Sequence, residues 1–193
     1  MAMMLLFHHA HGQTPGFMTF ADDLRAAGHT IHAPDLYQGR TFAALREGVA
    51  YAEGVGFAEI IRRGSDAAKG LPAEIVYGGF SLGVLPAQAL AQTRPGSRGA
   101  LFFHACVSPD EFGASWPEAV PLQIHMMEAD PWTEEDRAVA EALVEKTPTA
   151  ELFLYPGSGH LFADPSSGDY DAGAAALLME RTLAFLHRVD QTS

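Results

Sequence analysis

The ten residues from Ile75 to Val84 constrain the fold of this chain more than any others. Ile75, Val76 and Tyr77 form a β-branched and aromatic run suited to a buried strand. Gly79-Phe80-Ser81-Leu82-Gly83 follows in a G-x-S-x-G pattern, and Leu85 to Thr93 is a helix-forming stretch. A serine held in a glycine turn between a strand and a helix occupies a sparsely populated backbone conformation, at a cost of roughly 1–3 kcal/mol. The flanking glycines make the turn tolerable because they take up no side-chain space. Ser81 Oγ is then expected to stand clear of the sheet, with the free N–H groups of the helix turned toward whatever binds there.

The rest of the chain alternates around this element. Met3 to His9 reads as a strand. Pro15 and Gly16 open a helix with Phe17, Phe20, Leu24 and Ala27 on one face, and Gly28 stops it. His29 to Ala33 is a second strand ended by Pro34. Phe42, Leu45, Val49 and Ala52 mark a helical stripe, which Gly54 and Gly56 divide from a further helical piece over Phe57 to Lys69. Beyond the serine turn, Ala100 to Ala105 is a continuous apolar run, and Val107 to Val120 is a loop broken by Pro109, Gly113 and Pro117. Leu122 to Met127 is a strand. Thr133 is placed as an N-cap before a helix carrying Val139, Ala142 and Leu143 inward. Glu151 to Tyr155 is the last strand, and Ala172 to Val189 the last helix. Six nearly continuous apolar strands alternating with helices predict an α/β fold, with a parallel sheet covered by helices on both faces. The 193 residues, without a repeat or linker, are expected to form one domain over 1–193.

In an open parallel sheet ligands bind at the carboxyl ends of the strands. Ser81 follows the third strand, Glu128-Ala129-Asp130 the fifth, and Gly157-Ser158-Gly159-His160 the sixth. The order Ser, Asp, His along the chain is that of the α/β-hydrolase catalytic triad. His160 is expected to take the proton of Ser81, and Asp130 to hold the imidazolium that forms. Glu128 is the competing acid, and Asp130 is preferred because it lies further past the strand, where the loop can bend. The first oxyanion donor is expected to be the N–H of Leu82, and the second an N–H near Ala10 or His11. His9, His11, Trp132 and Phe162 lie on strand-end loops and are candidates for contact with substrate. With Phe17 and Trp116, the two aromatics could build an apolar wall or be ordinary core.

Other chemistries find little support. His8, His9 and His11 lack an accompanying metal-binding pattern, so no metal and no cofactor are expected. The lone Cys106 follows a buried strand without a basic neighbour and reads as core. Twelve Lys and Arg against 24 Asp and Glu give a net charge of −12, which argues against nucleic acid or an anionic membrane as partner. Met1 to Ala10 has no basic flank or small-residue cleavage site and reads as strand, and no apolar stretch approaches the ~20 residues that span a bilayer. A soluble cytoplasmic protein, monomer or homodimer, is expected.

These residues resemble the dienelactone hydrolase family of α/β-hydrolases. The likeness is carried by Ala33-Pro34-Asp35-Leu36-Tyr37, Gly79 to Gly83, His125 to Asp130, Tyr155 to Ala163, and the closing stretch Ser166 to Leu186. It implies an α/β-hydrolase fold, with a six-stranded or slightly larger sheet, and a hydrolase of small esters, lactones or thioesters. The chain departs from the family's founding pattern at three places. Ser81 stands for the nucleophilic cysteine, His9 for a glutamate after the first strand that helps to switch it, and Asp164 for an arginine that binds a substrate carboxylate. Only about fourteen residues join the fourth and fifth strands, too few for a cap domain. Asp164 is expected near the cleft mouth, where it would repel carboxylate-bearing substrates in favour of short neutral esters. The alternative is a non-catalytic protein that uses the cleft to bind a ligand.

Overall fold

The computed structural model describes residues 1–113 and 115–191. It contains β1 (Met3–Phe7), α1 (Pro15–Ala26), β2 (Thr30–His32), α2 (Leu45–Val55), α3 (Phe57–Ala67), β3 (Val76–Phe80), α4 (Val84–Thr93), β4 (Gly99–Phe103), β5 (Leu122–Met127), α5 (Glu134–Lys146), β6 (Ala150–Tyr155) and α6 (Ala172–Gln191). The strands form one sheet in the order β2-β1-β3-β4-β5-β6. Every pairing is parallel. The chain winds outward from β1 to β2, then crosses to β3 on the other side. The crevice at this reversal, between the ends of β1 and β3, is where an open parallel sheet accepts ligands.

Period-two alternation sends side chains to two apolar clusters, one on each face. Leu5, Phe7, Ala100 and Phe102 pack with residues of α2, α3, α4 and α5. Met4, Leu6, Leu101 and Phe103 pack with Phe17, Phe20 and Leu24 of α1 and Leu178, Phe185 and Leu186 of α6. The doubly covered sheet expected from the apolar strands is therefore present. β3 runs on through Gly78, Gly79 and Phe80, beyond the β-branched run. A Cβ at Gly78 would lie 1.9 Å from Met4 Cε, so a larger residue there would displace the end of the Met4 side chain. The connection from β4 to β5 holds, among the described residues, a 3-10 turn over Pro109–Phe112 and no helical cap. No helix of the described residues is long and apolar enough to cross a membrane.

Three local expectations are corrected. α5 buries Ala140 and Leu143 rather than Ala142, which is exposed, and Val139 only partly packs against the core. Thr133 precedes this helix but makes no side-chain cap: its hydroxyl donates back to the Asp130 carbonyl at 3.4 Å. The apolar run at β4 ends at Phe103, because His104 takes a left-handed backbone with φ +67°.

His104 and His125 are both fully buried. Burial pushes His104 well below the ordinary imidazole range and His125 down to about 3. A base whose folded pKa lies below its unfolded value contributes its full stability above the unfolded pKa and loses it as pH falls toward the folded one. His125 alone should cost about 2 kcal/mol between pH 6.5 and 5, at ~1.4 kcal/mol per pH unit, and His104 acts in the same direction. The melting temperature is expected to drop over that interval, and to drop less in His125→Phe, which keeps an aromatic ring beside Phe103, Phe153 and Tyr155 but gives up the 2.8 Å bond between His125 Nδ1 and the Tyr155 hydroxyl. Parallel pH profiles for the two proteins would show that His125 is protonated in the native state.

Candidate active site

The end of β3 turns so sharply that neither glycine beside the serine can be replaced without a clash. A Cβ at Gly79 would meet the Gly83 carbonyl oxygen at 2.1 Å, and one at Gly83 would meet the Phe7 and His8 carbonyls at 2.4 and 2.7 Å. Between them Ser81 sits at φ +49° and begins a 3-10 turn, Ser81–Gly83, that leads into α4. Phe80 anchors the turn from below, packed against Phe17, Phe20 and Phe103.

Two further loops meet at Ser81. The loop after β5 is pinned to the loop after β6, since Glu128 N donates to Tyr155 O at 2.8 Å and Ala129 N to Gly157 O at 2.9 Å. Asp130 Oδ1 accepts from the Trp132 N–H at 2.9 Å, and Asp130 Oδ2 lies 2.6 Å from His160 Nδ1. A carboxylate can only accept, so Nδ1 carries the proton and Nε2 presents a lone pair. The Ser81 hydroxyl donates to that lone pair at 2.7 Å. Both Asp130 and His160 are buried. Glu128, the competing acid, has an exposed side chain, and its backbone carbonyl accepts from Arg137.

The turn after β1 forms the other wall. His8 Nε2 accepts from Leu36 N at 2.9 Å, which leaves its Nδ1–H to donate to His9 O at 2.8 Å. His11 Nδ1 donates to Phe42 O at 2.8 Å and remains partly exposed. Ala10 is buried, and α2 approaches it so closely that a Cβ at Gly48 would lie 1.9 Å from the Ala10 carbonyl. Trp132 is 44% exposed with its ring 5.9 Å from that of His160, so it does flank the triad.

Other expected contact residues are found elsewhere. His9 is fully buried and its Nε2 bonds Asp164 Oδ2 at 2.7 Å, so it presents nothing to a ligand. Phe162 is fully buried against Tyr155 and His104, and Phe17 and Trp116 are likewise core. Phe17 lies on the buried face of α1, and the loops of Phe162 and Trp116 fold inward, a direction that hydropathy does not encode. Asp164, expected at the cleft mouth, is 1% exposed. Burial pushes its carboxyl up, but hydrogen bonds from His9, Ser166 and Thr14 outweigh this and hold it well below the usual carboxylate range.

His104 escaped sequence reasoning because it lies within an apolar run. Its ring is buried 6.1 Å from that of His160, and neither ring nitrogen has a hydrogen-bond partner. A cavity of about 420 Å³ adjoins Glu128, Asp130, Glu134 and Arg137, but neither Ser81 nor His160 lines it. Among the described residues no group of three His, Cys, Asp or Glu side chains is arranged to hold a metal ion.

A serine, a histidine and a carboxylate bonded in series at the strand ends of such a sheet define the α/β-hydrolase class, and known structures share the fold. A dienelactone-hydrolase-like promiscuous phosphotriesterase from metagenomic libraries superposes with a TM-score of 0.77 at 20% identity, covering 98% of this chain and 87% of its own. Esterase 2 of Thermogutta terrifontis gives 0.62 at 18% identity, covering 97% of this chain and 83% of its own. A structure from a study of two metagenome-derived lipolytic enzymes gives 0.62 at 18%, covering 97% and 94%. No curated protein matches the sequence. The chain belongs to the dienelactone hydrolase family, whose sequence model matches residues 2–190.

Cys106 stands apart from this chemistry. It is 1% exposed, and burial, assisted by the nearby Asp136, pushes its thiol up to about 12. Only the thiolate is alkylated at a useful rate. Native protein treated with iodoacetamide at pH 7.5 is expected to keep its activity and to show an unmodified Cys106 by mass spectrometry. Inactivation in step with modification of Cys106 would contradict this assignment.

Proposed function

We propose that the protein is a serine hydrolase of small esters, lactones or thioesters, with Ser81, His160 and Asp130 as its triad. The observation that carries this reading is the unbroken chain from Ser81 Oγ through His160 to Asp130, at 2.7 and 2.6 Å, on a serine held at φ +49°. A glycine-turn serine without a catalytic task has no use for a strained backbone or for a histidine aligned on its hydroxyl.

In this reading Ser81 Oγ attacks the carbonyl carbon while its proton passes to His160 Nε2. Asp130 stabilises the imidazolium through the Nδ1–H bond. The N–H groups of Leu82 and Ala10 take the negative charge of the tetrahedral oxygen. Collapse of this intermediate breaks the bond to the leaving alkoxide or thiolate, which receives the proton from His160. Water then gives a proton to the same Nε2 and attacks the acyl carbon, and Ser81 departs with its proton restored. Trp132, beside His160, flanks the approach to the serine, and the partly exposed His11 is assigned to substrate contact from the turn after β1. The short β4–β5 connection leaves that approach uncapped, which favours short acyl chains.

Ser81→Ala should fold with an unchanged melting profile within a few degrees and lose at least ~10³-fold in kcat, the remainder arising from binding and the oxyanion donors. p-Nitrophenyl acetate hydrolysis and labelling by a fluorophosphonate probe are the measurements. Hydrolysis at the parent's rate by Ser81→Ala would remove Ser81 from the mechanism.

A further inference from the structure

We propose that Asp164 is a positioning residue, which locks the turn carrying Ala10 to the loop carrying His160. This rests on the triad reading above. The two groups it joins must be placed to a fraction of an ångström, since an oxyanion donor acts only when it points at the developing charge.

The carboxylate of Asp164 receives donors from two separate segments. On the β1–α1 side, His9 Nε2 and the Thr14 hydroxyl each lie 2.7 Å from Oδ2. On its own side, Ser166 N and Ser166 Oγ lie 2.7 and 2.6 Å from Oδ1. His9 and Thr14 bracket Ala10, so the carboxylate grips the turn at both ends. Thr14 Oγ1 also accepts from Phe17 N at 3.1 Å, which ties the same grip to the start of α1. Gly16 N donates to Ser166 Oγ at 3.2 Å, and a Cβ on Gly16 would fall 1.7 Å from Asp164 Oδ1. The helix start is thus shaped to admit the carboxylate. On the other side, Asp164 N donates to Leu161 O at 3.0 Å, which closes a tight turn next to His160.

A buried carboxylate is an expensive way to hold two segments together when apolar contact would do. What it adds is direction. Each donor fixes an angle as well as a distance. Within itself the turn has two backbone bonds, Gly12 N to His9 O and Thr14 N to Gly12 O. Among the described residues its middle is tied only away from His160, to the Thr41–Phe42 segment, by Phe42 N to His11 O and the Gly12–Thr41 bridge. Disturbing the network should therefore misalign Ala10 relative to Ser81 without removing any group that touches substrate. That predicts a loss in kcat with little change in KM, because the oxyanion forms only in the transition state.

The experiment compares Asp164→Asn, Thr14→Val and Thr14→Ser with the parent. Activity toward p-nitrophenyl acetate is divided by the sites titrated to completion with a fluorophosphonate, so that unfolded molecules do not count. Asp164→Asn and Thr14→Val are expected to lose roughly 10–100-fold in kcat per labelled site, with KM within about twofold, and Thr14→Ser to recover most of it. A purely structural role would lower the melting temperature and the number of labelled sites but leave kcat per site at the parent's value, which overturns the proposal. Where Asp164→Asn fails to fold, equal kcat per site in the two Thr14 variants overturns it in the same way. An inert, unlabelled parent removes the triad reading and this proposal together, whereas an active parent beside fully active variants removes this one alone.

Discussion

The backbone at Ser81 is the constraint on which the remaining structure depends. A residue at φ +49° between two glycines that exclude any Cβ can exist only where the strand before it and the helix after it are both held firmly. The parallel ladders from β3 to β1 and to β4 provide the first hold. The aromatic cluster around Phe80 adds to that hold, since a fully buried side chain of that size contributes about 1.5–3 kcal/mol, enough to offset the strain of the turn, and α4 is held by the burial of Val84, Ala87, Leu90 and Ala91 in the opposite core. Because Gly83 lies against the Phe7 and His8 carbonyls, the serine turn and the turn after β1 form one rigid surface. The site is built outward from that contact.

The loop between β6 and α6 is held by two buried carboxylates that divide the work. Asp130 reaches it from the fifth strand and orients His160; Asp164 belongs to it and binds the turn after β1. Neither can be buried alone, and the structure satisfies each with several donors. Asp130 takes the Trp132 amide besides His160, and Asp164 takes four donors in all. The histidine is thereby fixed from in front and from behind. The buried, unpartnered His104 packs between Phe80 and Phe162, close neighbours in sequence of Ser81 and His160.

Much of this was legible in the sequence, and the boundary between what was and was not has a physical basis. β-branched runs, glycine stops and helical stripes are local signals, and they placed all six strands and six helices to within a few residues. The meeting of Ser81, Asp130 and His160 was legible because chain order and strand ends narrow the possibilities. His9, Phe162 and Asp164 were misread because each lies at a strand end, where the same side chain can face cleft or core. The outcome turns on a partner 155 residues away in the case of His9 and Asp164. Hydropathy also hid His104, which shares its run with Leu101, Phe102 and Phe103, and it put Ala142 inside where the helix turns Ala140.

Position 164 shows that one place in a fold cannot serve two electrostatic purposes. A charged side chain that reads a substrate carboxylate must face solvent and keep its own valence unsatisfied until the substrate arrives. The resemblance implied such an arginine, four residues past the histidine. A charge that fixes two loops must do the reverse: it is buried, saturated with donors, and insulated from the cleft. The carboxylate of Asp164 has taken the second course, with His9 as its buried partner. At position 164 this chain therefore holds its charge inside the protein and turns none of it toward the cleft. What a charge at this position can contribute is therefore the placement of the two loops, and the net charge of −12 over the chain acts on anions only in general, without recognising one in particular.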